Sequence, residues 1–284
     1  MTADQNDDDR DLVLYEVDEY GVATVTLNRP ERKNAWSIPM ERRFFATLAE
    51  ARADPRVRVI IITGAGRAFC PGMDVQRLEQ NSQPGQSLNL QERVPMYSQR
   101  DMPKPMIAAI NGACAGIGLV QALICDVRFA ARGARMTTAF TRRGLAGEYN
   151  LPYMLPRVVG LENAMDLLLS GRTFDADEAK ELGLVSRVVE PEALLDEARA
   201  YARDIARNCS PRAMAVMRAQ VYGDLDRDFV GALKRSYAAM EFFAGSLDFR
   251  EGVASFAGKR EPEFEGLPAD FDAAEATRDE FLPY

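Results

Sequence analysis

The sequence predicts an α/β fold that ends in a helical region. Two similar stretches indicate this fold: Val59 to Asp74 (VIIITGAGRAFCPGMD) and Lys104 to Ala130. Each begins with an apolar run of strand length, continues through a turn rich in glycine and small residues, and ends in a helix start. From Pro211 to Phe256, apolar residues recur on one face at helical spacing. Strand-to-helix junctions followed by helices are typical of an α/β protein.

The chain begins with residues 1–11, which are polar and acidic, so we expect disorder there. Leu12 to Val17 and Gly21 to Asn28 alternate apolar and polar residues across a Glu-Tyr-Gly turn, which predicts a β-hairpin. Ser37 is a candidate N-cap for the helix that follows. Gln76 to Arg100 is polar, and either a mobile flap over a pocket or a plain surface connection fits it.

The second half of the chain is predicted to contain more helix than strand. One strand is expected over Cys125 to Ala130. Helices are expected over Leu161 to Ser170, Asp175 to Leu184 and Pro191 to Ala206. We therefore divide the chain into an acidic N-terminus (1–11), a core (12–205), a C-terminal helical region (206–265) and an extension (266–284) without an assigned role.

The stretch after Lys104 has features of an anion-binding turn. Its apolar run, Met106 to Ile110, is closed by Asn111-Gly112, and a helix begins near Ile117. The first N–H groups of that helix have no helical partner and favour negative charge. Because a second junction of this kind lies upstream, two N–H groups can converge on one oxygen, as an oxyanion hole requires. The alternative is that the glycines only let a strand and a helix approach closely.

Composition excludes several classes of function. The net charge of −8 and the lack of a basic run argue against a nucleic-acid partner. The chain has no histidine, which excludes a Ser-His-Asp triad, a Cys-His dyad and a His-ligated zinc site. No signal peptide or transmembrane run is present, so we expect a cytoplasmic protein without a membrane partner. The four cysteines have no metal-ligand spacing, and we expect buried free thiols and no metal site: Cys70, Cys114, Cys125 and Cys209.

Four separated motifs together resemble the crotonase superfamily, the enoyl-CoA hydratase/isomerase group. They are Asn28-Arg29-Pro30 with Lys33-Asn34-Ala35, the AFCPGMD segment, the PMIAAINGACAGIG segment, and Arg157 to Val189. The match covers roughly residues 12 to 265 with the motifs in order. The resemblance implies an α/β fold with a crotonase-like ββα spiral core, a C-terminal helical region and a coenzyme A thioester as substrate. It says much less about the reaction.

The resemblance also implies how the ligand is bound, with no cofactor beyond the coenzyme A thioester. The N–H groups of Met73 and Ile117 would hold the thioester oxygen. Contacts to coenzyme A are expected from Lys33, Asn34, Ala35, Ala68, Cys70, Gly72, Asp74, Gly116 and Lys259. For Lys33 and Lys259, a solvated surface charge is the alternative.

This sequence departs from the hydratases at both of their catalytic glutamates. Alignment of the motifs places Val120 and Phe140 at those positions. Glu148 instead falls where dienoyl-CoA isomerases and 4-chlorobenzoyl-CoA dehalogenase carry a functional aspartate. It is the only carboxylate between Val127 and Val159, and its apolar neighbours would raise its pKa, which suits a proton shuttle.

Three functions stay open at this point. The first is an isomerase-like enzyme in which Glu148 moves a proton on a thioester enolate, and the second is an acyl-CoA hydrolase or retro-Claisen enzyme in which it activates water. The third is a weakly catalytic CoA-thioester-binding protein, favoured if Glu148 is paired with Arg142, Arg143 or Arg157. The family resemblance and the apolar C-terminal helix faces predict a homotrimer or a hexamer built as a dimer of trimers.

Overall fold

The structure, a computed structural model, describes residues 9–92 and 96–278. In these ranges two sheets are present, one with the strand order β1-β2-β3-β5-β7-β10 and one with the order β4-β6-β8-β9. The strands are β1 (Val13–Val17), β2 (Val22–Leu27), β3 (Val59–Gly64), β4 (Ala68–Cys70), β5 (Met106–Ile110), β6 (Ala113–Ala115), β7 (Val127–Ala131), β8 (Arg135–Thr137), β9 (Phe174–Asp175) and β10 (Arg187–Val189).

The helices include the predicted ones, with three in the C-terminal region, and one at Leu151–Val159 that was not predicted. They are α1 (Ile38–Ala53), α2 (Val75–Asn81), α3 (Ile117–Ile124), α4 (Leu151–Val159), α5 (Leu161–Ser170), α6 (Ala176–Glu181), α7 (Leu194–Asn208), α8 (Pro211–Asp224), α9 (Phe229–Phe243) and α10 (Leu247–Gly258). Short 3-10 turns cover Arg10–Leu12, Pro30–Arg32, Leu90–Glu92, Met96–Gln99, Thr141–Arg143, Pro191–Ala193 and Glu275–Thr277. None of the helices in the described ranges is both long and apolar enough to cross a bilayer.

The core is a ββα spiral, as expected. The chain runs through β3, β4 and α2, then through β5, β6 and α3, and then through β7 and β8, so each turn adds one strand to each sheet. Strands β3, β5 and β7 are parallel neighbours in the larger sheet, while β4, β6 and β8 are parallel neighbours in the smaller one. Successive turns therefore stack strand on strand, with one register shift in β4 between Ala68 and Cys70.

The first pair of strands is antiparallel, which confirms the predicted hairpin, and β2 then joins the parallel part of the sheet. All residues of β3 and β5 are buried. Helix α1 packs against β1 and β2, while α7 packs against β2, β3, β5 and β7. The apolar runs read from the sequence are thus the two central strands of the core.

One prediction for the stretch Lys104 to Ala130 is wrong. Ala113–Ala115 was expected to be part of a turn but forms strand β6, which pairs with β4 in the smaller sheet. A Cβ atom at Gly112 would lie 2.2 Å from the Arg67 carbonyl oxygen, so the chain passes close to the preceding spiral turn. Strands of three small residues have too few positions to show a period of two, which is why the pattern did not reveal them.

Both ends of the described chain are ordered further than expected. A 3-10 turn covers Arg10–Leu12, so structure starts before the predicted boundary, while residues 1–8 lie outside the described residues. At the other end, the extension packs on the C-terminal helices. Ala276 is buried with Val216 and Ala239, and Phe271 packs against this small cluster. The extension is therefore part of the folded C-terminal region up to residue 278.

Candidate active site

The candidate site lies where the neighbouring strands β4 and β6 end. Cys70 and Cys114 are register partners in these strands, and Met73 and Ile117 each follow their partner by three residues. The two turns touch, because a Cβ atom at Gly116 would lie 4.0 Å from the Gly72 Cα atom. The structure therefore brings the two predicted oxyanion donors together.

The N–H groups of Met73 and Ile117 make no hydrogen bond to any group of the described residues. Met73 forms a parallel bridge with Trp36, but that bridge uses the Gly72 carbonyl and the Asp74 N–H, at 2.8 and 2.9 Å from their Trp36 partners. Ile117 is the first residue of α3, where no preceding helical carbonyl can accept its N–H. Both donors are thus available to a ligand oxygen.

Two glycines let the start of α3 approach the smaller sheet. Gly116, the N-cap, has a φ of 51°, which is unfavourable for residues with a side chain. Gly118 has no room for a side chain, since a Cβ atom there would lie 2.1 Å from the Cys70 carbonyl oxygen. Close packing was the alternative reading of these glycines, and here it is also what places the Ile117 N–H beside Met73.

Two buried or half-buried asparagines hold the turn between β3 and β4. Asn34 donates its amide to the carbonyls of Ala65 (2.9 Å) and Ala68 (2.7 Å) and accepts the Arg29 N–H at 2.8 Å. Asn111 donates to the Gly64 carbonyl at 2.8 Å. The side chain of Asn34 is therefore used within the protein, so it positions the predicted nucleotide-binding loop instead of offering a free amide. The role of Asn111 was missed, although its place at a strand end was a signal.

The two adjoining turns that carry Met73 and Ile117 are together called the oxyanion turn, after their predicted role, and the loop predicted to contact the nucleotide is tied to them. Arg29 donates to the Ala35 carbonyl at 2.8 Å and forms an ion pair with Asp74 at 3.2 Å. Asp74 is also the N-cap of α2, where its side chain accepts the Gln76 N–H. Lys33 is exposed, with a φ of 54°, at the end of the adjacent 3-10 turn. Sequence reasoning missed this ion pair between residues 45 positions apart.

The remaining residues expected to bind coenzyme A are in different environments. Ala68 and Cys70 are buried in β4, and the Cys70 thiol lies 3.9 Å from the Gly72 carbonyl oxygen. Burial raises the pKa of the Cys70 thiol to about 12, so it stays protonated at neutral pH and is no nucleophile. Lys259 is exposed at the end of α10 in the C-terminal region and is not part of the cluster around β4 and β6.

The two positions that hold glutamates in hydratases are apolar and buried here. Val120 and Phe140 are 1% and 5% exposed. The Phe140 ring packs beside the oxyanion turn, with its Cε1 atom 4.0 Å from where a Gly116 Cβ atom would be. A phenyl ring thus occupies space next to the proposed thioester oxygen, and it can neither bind water strongly nor move a proton.

Glu148 lies in the loop before α4, a helix that packs against α3. Its side chain is half-buried, and its carbonyl accepts the Leu151 N–H at 3.0 Å. Tyr149 and Asn150 follow with φ values of 48° and 63°. Two consecutive left-handed residues with side chains are unfavourable and occur mostly where the surroundings impose them, often at functional sites.

The three arginines that the sequence offers as partners for Glu148 all donate to backbone carbonyls. Arg142 donates to Ser170 at 2.8 Å, and Arg143 donates to Ala139 at 3.3 Å. Arg157 donates to Tyr153 at 2.8 Å and stacks over its ring.

A cavity of about 170 Å³ lies beside this loop. Ile124, which lines it, is one helical turn beyond Val120 on α3. The lining residues are Arg100, Ile124, Tyr149, Asn150, Tyr153, Met154, Tyr222 and Asp226.

Comparison with known proteins assigns the chain to a family. The family model for enoyl-CoA hydratase/isomerase matches residues 18–267. The chain is 36% identical over 259 residues to the 1,2-epoxyphenylacetyl-CoA isomerase of Escherichia coli K12, covering 87% of this chain and 96% of that protein. It is also 36% identical over 259 residues to the (E)-benzylidenesuccinyl-CoA hydratase of Thauera aromatica, covering 89% and 99%.

Solved structures agree with this assignment. A crystal structure of an enoyl-CoA hydratase from Bacillus anthracis superimposes with a TM-score of 0.83 at 29% identity, covering 90% of this chain and all of that one. An enoyl-CoA hydratase from Mycobacterium marinum is 50% identical, with a TM-score of 0.66 over 76% of this chain. Sequence motifs, fold and comparisons agree, and this chain is an acyl-CoA-processing enzyme that belongs to the enoyl-CoA hydratase/isomerase family.

Proposed function

We propose that this protein is an isomerase of acyl-CoA thioesters that works through a thioester enolate. The observation that supports this most strongly is the pair of free N–H groups of Met73 and Ile117 beside an apolar wall made by Val120 and Phe140. The donors can stabilise negative charge on the thioester oxygen, while the wall lacks the carboxylates with which hydratases activate water. Removal of one such donor typically costs about 3 kcal/mol of transition-state stabilisation.

In this scheme Glu148 is the acid and base. A proton leaves a carbon next to the thioester or conjugated to it, the electron pair moves onto the oxygen held by Met73 and Ile117, and Glu148 returns the proton to another carbon. No bond to water forms. Glu148 is suited to this acid and base role because the chain has no histidine and Glu148 is the one carboxylate between Val127 and Val159.

Binding of coenzyme A is proposed to use the region around the oxyanion turn. The backbone of Ala68, Cys70, Gly72 and Gly116 is proposed to contact coenzyme A between the oxygen site and the loop with Lys33 and Ala35. The ion pair of Arg29 with Asp74 fixes that loop. Lys33 is exposed and able to reach a phosphate, and Lys259 is proposed for the same role from the C-terminal region.

The name hydratase, which several relatives bear, is tested by one substrate. Hydration of crotonyl-CoA should be very slow, since no carboxylate stands at positions 120 and 140. Loss of the enoyl-thioester absorbance measures this reaction. A rate comparable to that of an ordinary hydratase would show that another group activates water and would refute the isomerase assignment.

The role of Glu148 is tested with Glu148→Gln, which keeps the size and most hydrogen bonds but cannot accept a proton. A panel of 3-enoyl, dienoyl, β-diketone and aromatic acyl-CoA thioesters, followed by mass spectrometry, identifies the active substrate. The aromatic esters are included because two relatives are named for phenylacetyl and benzylidenesuccinyl thioesters. We expect turnover about 10²–10⁴-fold slower and unchanged binding of coenzyme A esters.

The matched control is Glu181→Gln, which makes the same charge change on the exposed end of α6. It should leave turnover unchanged. Normal turnover by Glu148→Gln would remove Glu148 from the mechanism. Formation of free coenzyme A or of a shortened acyl chain would favour hydrolysis or C–C cleavage, and a parent protein that binds every ester but converts none would favour the binding-protein function.

We also propose that the chain assembles as a trimer or as a dimer of trimers. Apolar side chains are exposed along single helix faces, with Leu161 at 71% and Leu169 at 65% on α5, and Phe256 at 88% on α10. Faces of this kind are typical of protein interfaces. Light scattering should give a mass near a multiple of three chains, and a monomer at micromolar concentration would contradict the proposal.

A further inference from the structure

Three residues follow one face of α8 and of the turn after it. Arg218, Tyr222 and Asp226 are spaced by four residues, which places them in one row. Arg218 and Tyr222 are on the helix itself, and Asp226 lies two residues beyond its last residue, Asp224. The three bond to neighbouring parts of the molecule around the candidate site, with Arg100 a partner of all of them, and we call this row the α8 row.

The first member of the α8 row anchors the segment that leads back into the core. The Arg218 Nε atom lies 2.9 Å from both carboxylate oxygens of Asp126, which follows α3. Its guanidinium also donates to the carbonyls of Gln99 (3.0 Å), Arg100 (2.6 Å) and Met102. A buried arginine with all these partners fixes residues 99–102 relative to the end of α3.

The second and third members continue the same connection. The Tyr222 hydroxyl donates to Asp126 at 3.0 Å, and the Tyr222 carbonyl accepts the Arg100 guanidinium. The Asp226 carboxylate lies 3.4 Å from Arg100 and accepts the hydroxyl of Tyr153. Arg100 and Tyr153 belong to different elements, so Asp226 is where the segment 99–102 and helix α4 are joined by side chains.

Tyr153 is in the first turn of α4, directly after the Glu148 loop. The N–H groups of Tyr153 and Met154 donate to the Asn150 carbonyl at 3.0 and 2.9 Å. Asn150 and Tyr149 have the unfavourable left-handed conformation noted above. A loop of this kind keeps its shape only while neighbouring groups hold it. The Tyr153 side chain is held by Asp226, which accepts its hydroxyl, and by Arg157, whose guanidinium carbon lies 3.5 Å from the ring centre.

We propose that Asp226 and Tyr153 are positioning residues that set the place of the Glu148 loop relative to residues 99–102. The proposal rests on the proposed role of Glu148. The hydroxyl of Tyr153 and the carboxylate of Asp226 act through the backbone of the loop, and their contact spans 73 residues of sequence. Both also line the cavity beside the loop, so the contact keeps one wall of that cavity in place.

This contact is expected to matter more for local geometry than for global stability. The side chain of Asp226 is 56% exposed, and exposed ion pairs contribute little to the free energy of unfolding. A displacement of a catalytic group by about 1 Å can nevertheless slow a reaction about 10²-fold. A variant at this contact should therefore stay folded and lose turnover.

The test uses Asp226→Asn, Tyr153→Phe and the double variant of the full chain. The matched control is Asp177→Asn, which removes a similarly exposed carboxylate (55%) from its pair with Arg132, away from the loop. Hydrogen exchange of the amides of residues 148–153 is measured by mass spectrometry, together with kcat and KM on the active ester.

We expect exchange in 148–153 to become about 10-fold faster in each single variant, since a hydrogen bond to a charged group is lost. For the same reason kcat should fall about 5- to 20-fold, with KM within about twofold and the melting temperature within a few degrees. The double variant should lose less than the product of the two single losses, because both changes act on the contact between Tyr153 and position 226, although Asp226→Asn also removes the charge that pairs with Arg100. Asp177→Asn should behave as the parent.

Unchanged exchange in 148–153 would overturn the proposal, whatever happens to kcat. A fall in kcat that adds up over the two single changes would also overturn it, since the residues would then act separately. Should the parent convert no ester, the proposed function of Glu148 fails, and the exchange measurement alone still decides whether Asp226 and Tyr153 hold the loop.

Discussion

Replacement of Gly118 by alanine tests how closely α3 must approach β4. A Cβ atom at this position would lie 2.1 Å from the Cys70 carbonyl oxygen and 2.8 Å from the Cys70 Cβ atom. The oxygen belongs to the backbone of a buried strand, so no side-chain rotation relieves the clash. Ordinary contact begins at 3.4 Å, so α3 and β4 must separate by about 1.3 Å.

The size of the effect follows from these distances. Overpacking of a tight core costs about 1–3 kcal/mol, and the better helix propensity of alanine returns about 1 kcal/mol. The net loss is about 0–2 kcal/mol, which at its upper end lowers the melting temperature by about 4–8 °C. Because Ile117 precedes Gly118, the same shift moves one oxyanion donor by about an ångström, and turnover should fall about 10²-fold.

The measurement compares Gly118→Ala with Gly252→Ala by scanning fluorimetry and by turnover on the active thioester. Gly252 is also inside a helix, but a Cβ atom there would meet nothing closer than a Phe264 ring atom at 3.9 Å. The control should therefore be as stable as the parent or slightly more so, with full activity. Equal melting temperatures and equal turnover for the two variants would refute the steric reasoning.

Two further predictions concern stability. Lys104 is buried and donates to the carbonyls of Ala51 and Asp54, each at 2.6 Å, and burial lowers its pKa from 10.5 to about 8. Between about pH 8 and 10.5 the unfolded chain then binds more protons than the folded chain, so the free energy of unfolding of the parent, relative to that of Lys104→Met, should rise with pH. Urea unfolding at several pH values measures this difference. A difference that does not change with pH would contradict the prediction. In the extension, the side-chain oxygen of Thr277 accepts a hydrogen bond from buried Arg235 at 3.0 Å. Thr277→Val removes this acceptor, so the free energy of unfolding should fall by about 1–2 kcal/mol. No change would mean that this contact does not hold the extension.

Apolar periodicity predicted the larger elements well. The run Met106 to Ile110 is β5, and the predicted helix from Leu161 to Ser170 is α5. Local pattern is sufficient in such segments because burial on a sheet or a helix face requires a regular repeat. The two junctions predicted that two N–H groups could converge on one oxygen, but only the family resemblance pointed to Met73 and Ile117, and their binding of an oxygen stays a prediction.

The supports of the site could not be predicted in the same way. The Arg29–Asp74 pair and the contacts of Arg218 join residues that are far apart in sequence, and no local pattern records which arginine meets which carbonyl. The left-handed conformation of Tyr149 was equally hidden, because tyrosine has no preference for it. Such features depend on tertiary packing that only the assembled fold supplies.

The spiral path of the chain determines how far apart the N–H groups of Met73 and Ile117 lie. Met73 and Ile117 occupy equivalent places in consecutive turns of one repeating path, three residues beyond paired positions of adjacent strands. Adjacent strands are about 4.8 Å apart, which is the separation at which two amides can both point to a single atom about 2.9 Å from each. The spacing of the two proposed donors is therefore expected to follow from the strand spacing and not from the side chains at positions 73 and 117, so those side chains can differ while the two N–H groups keep their separation.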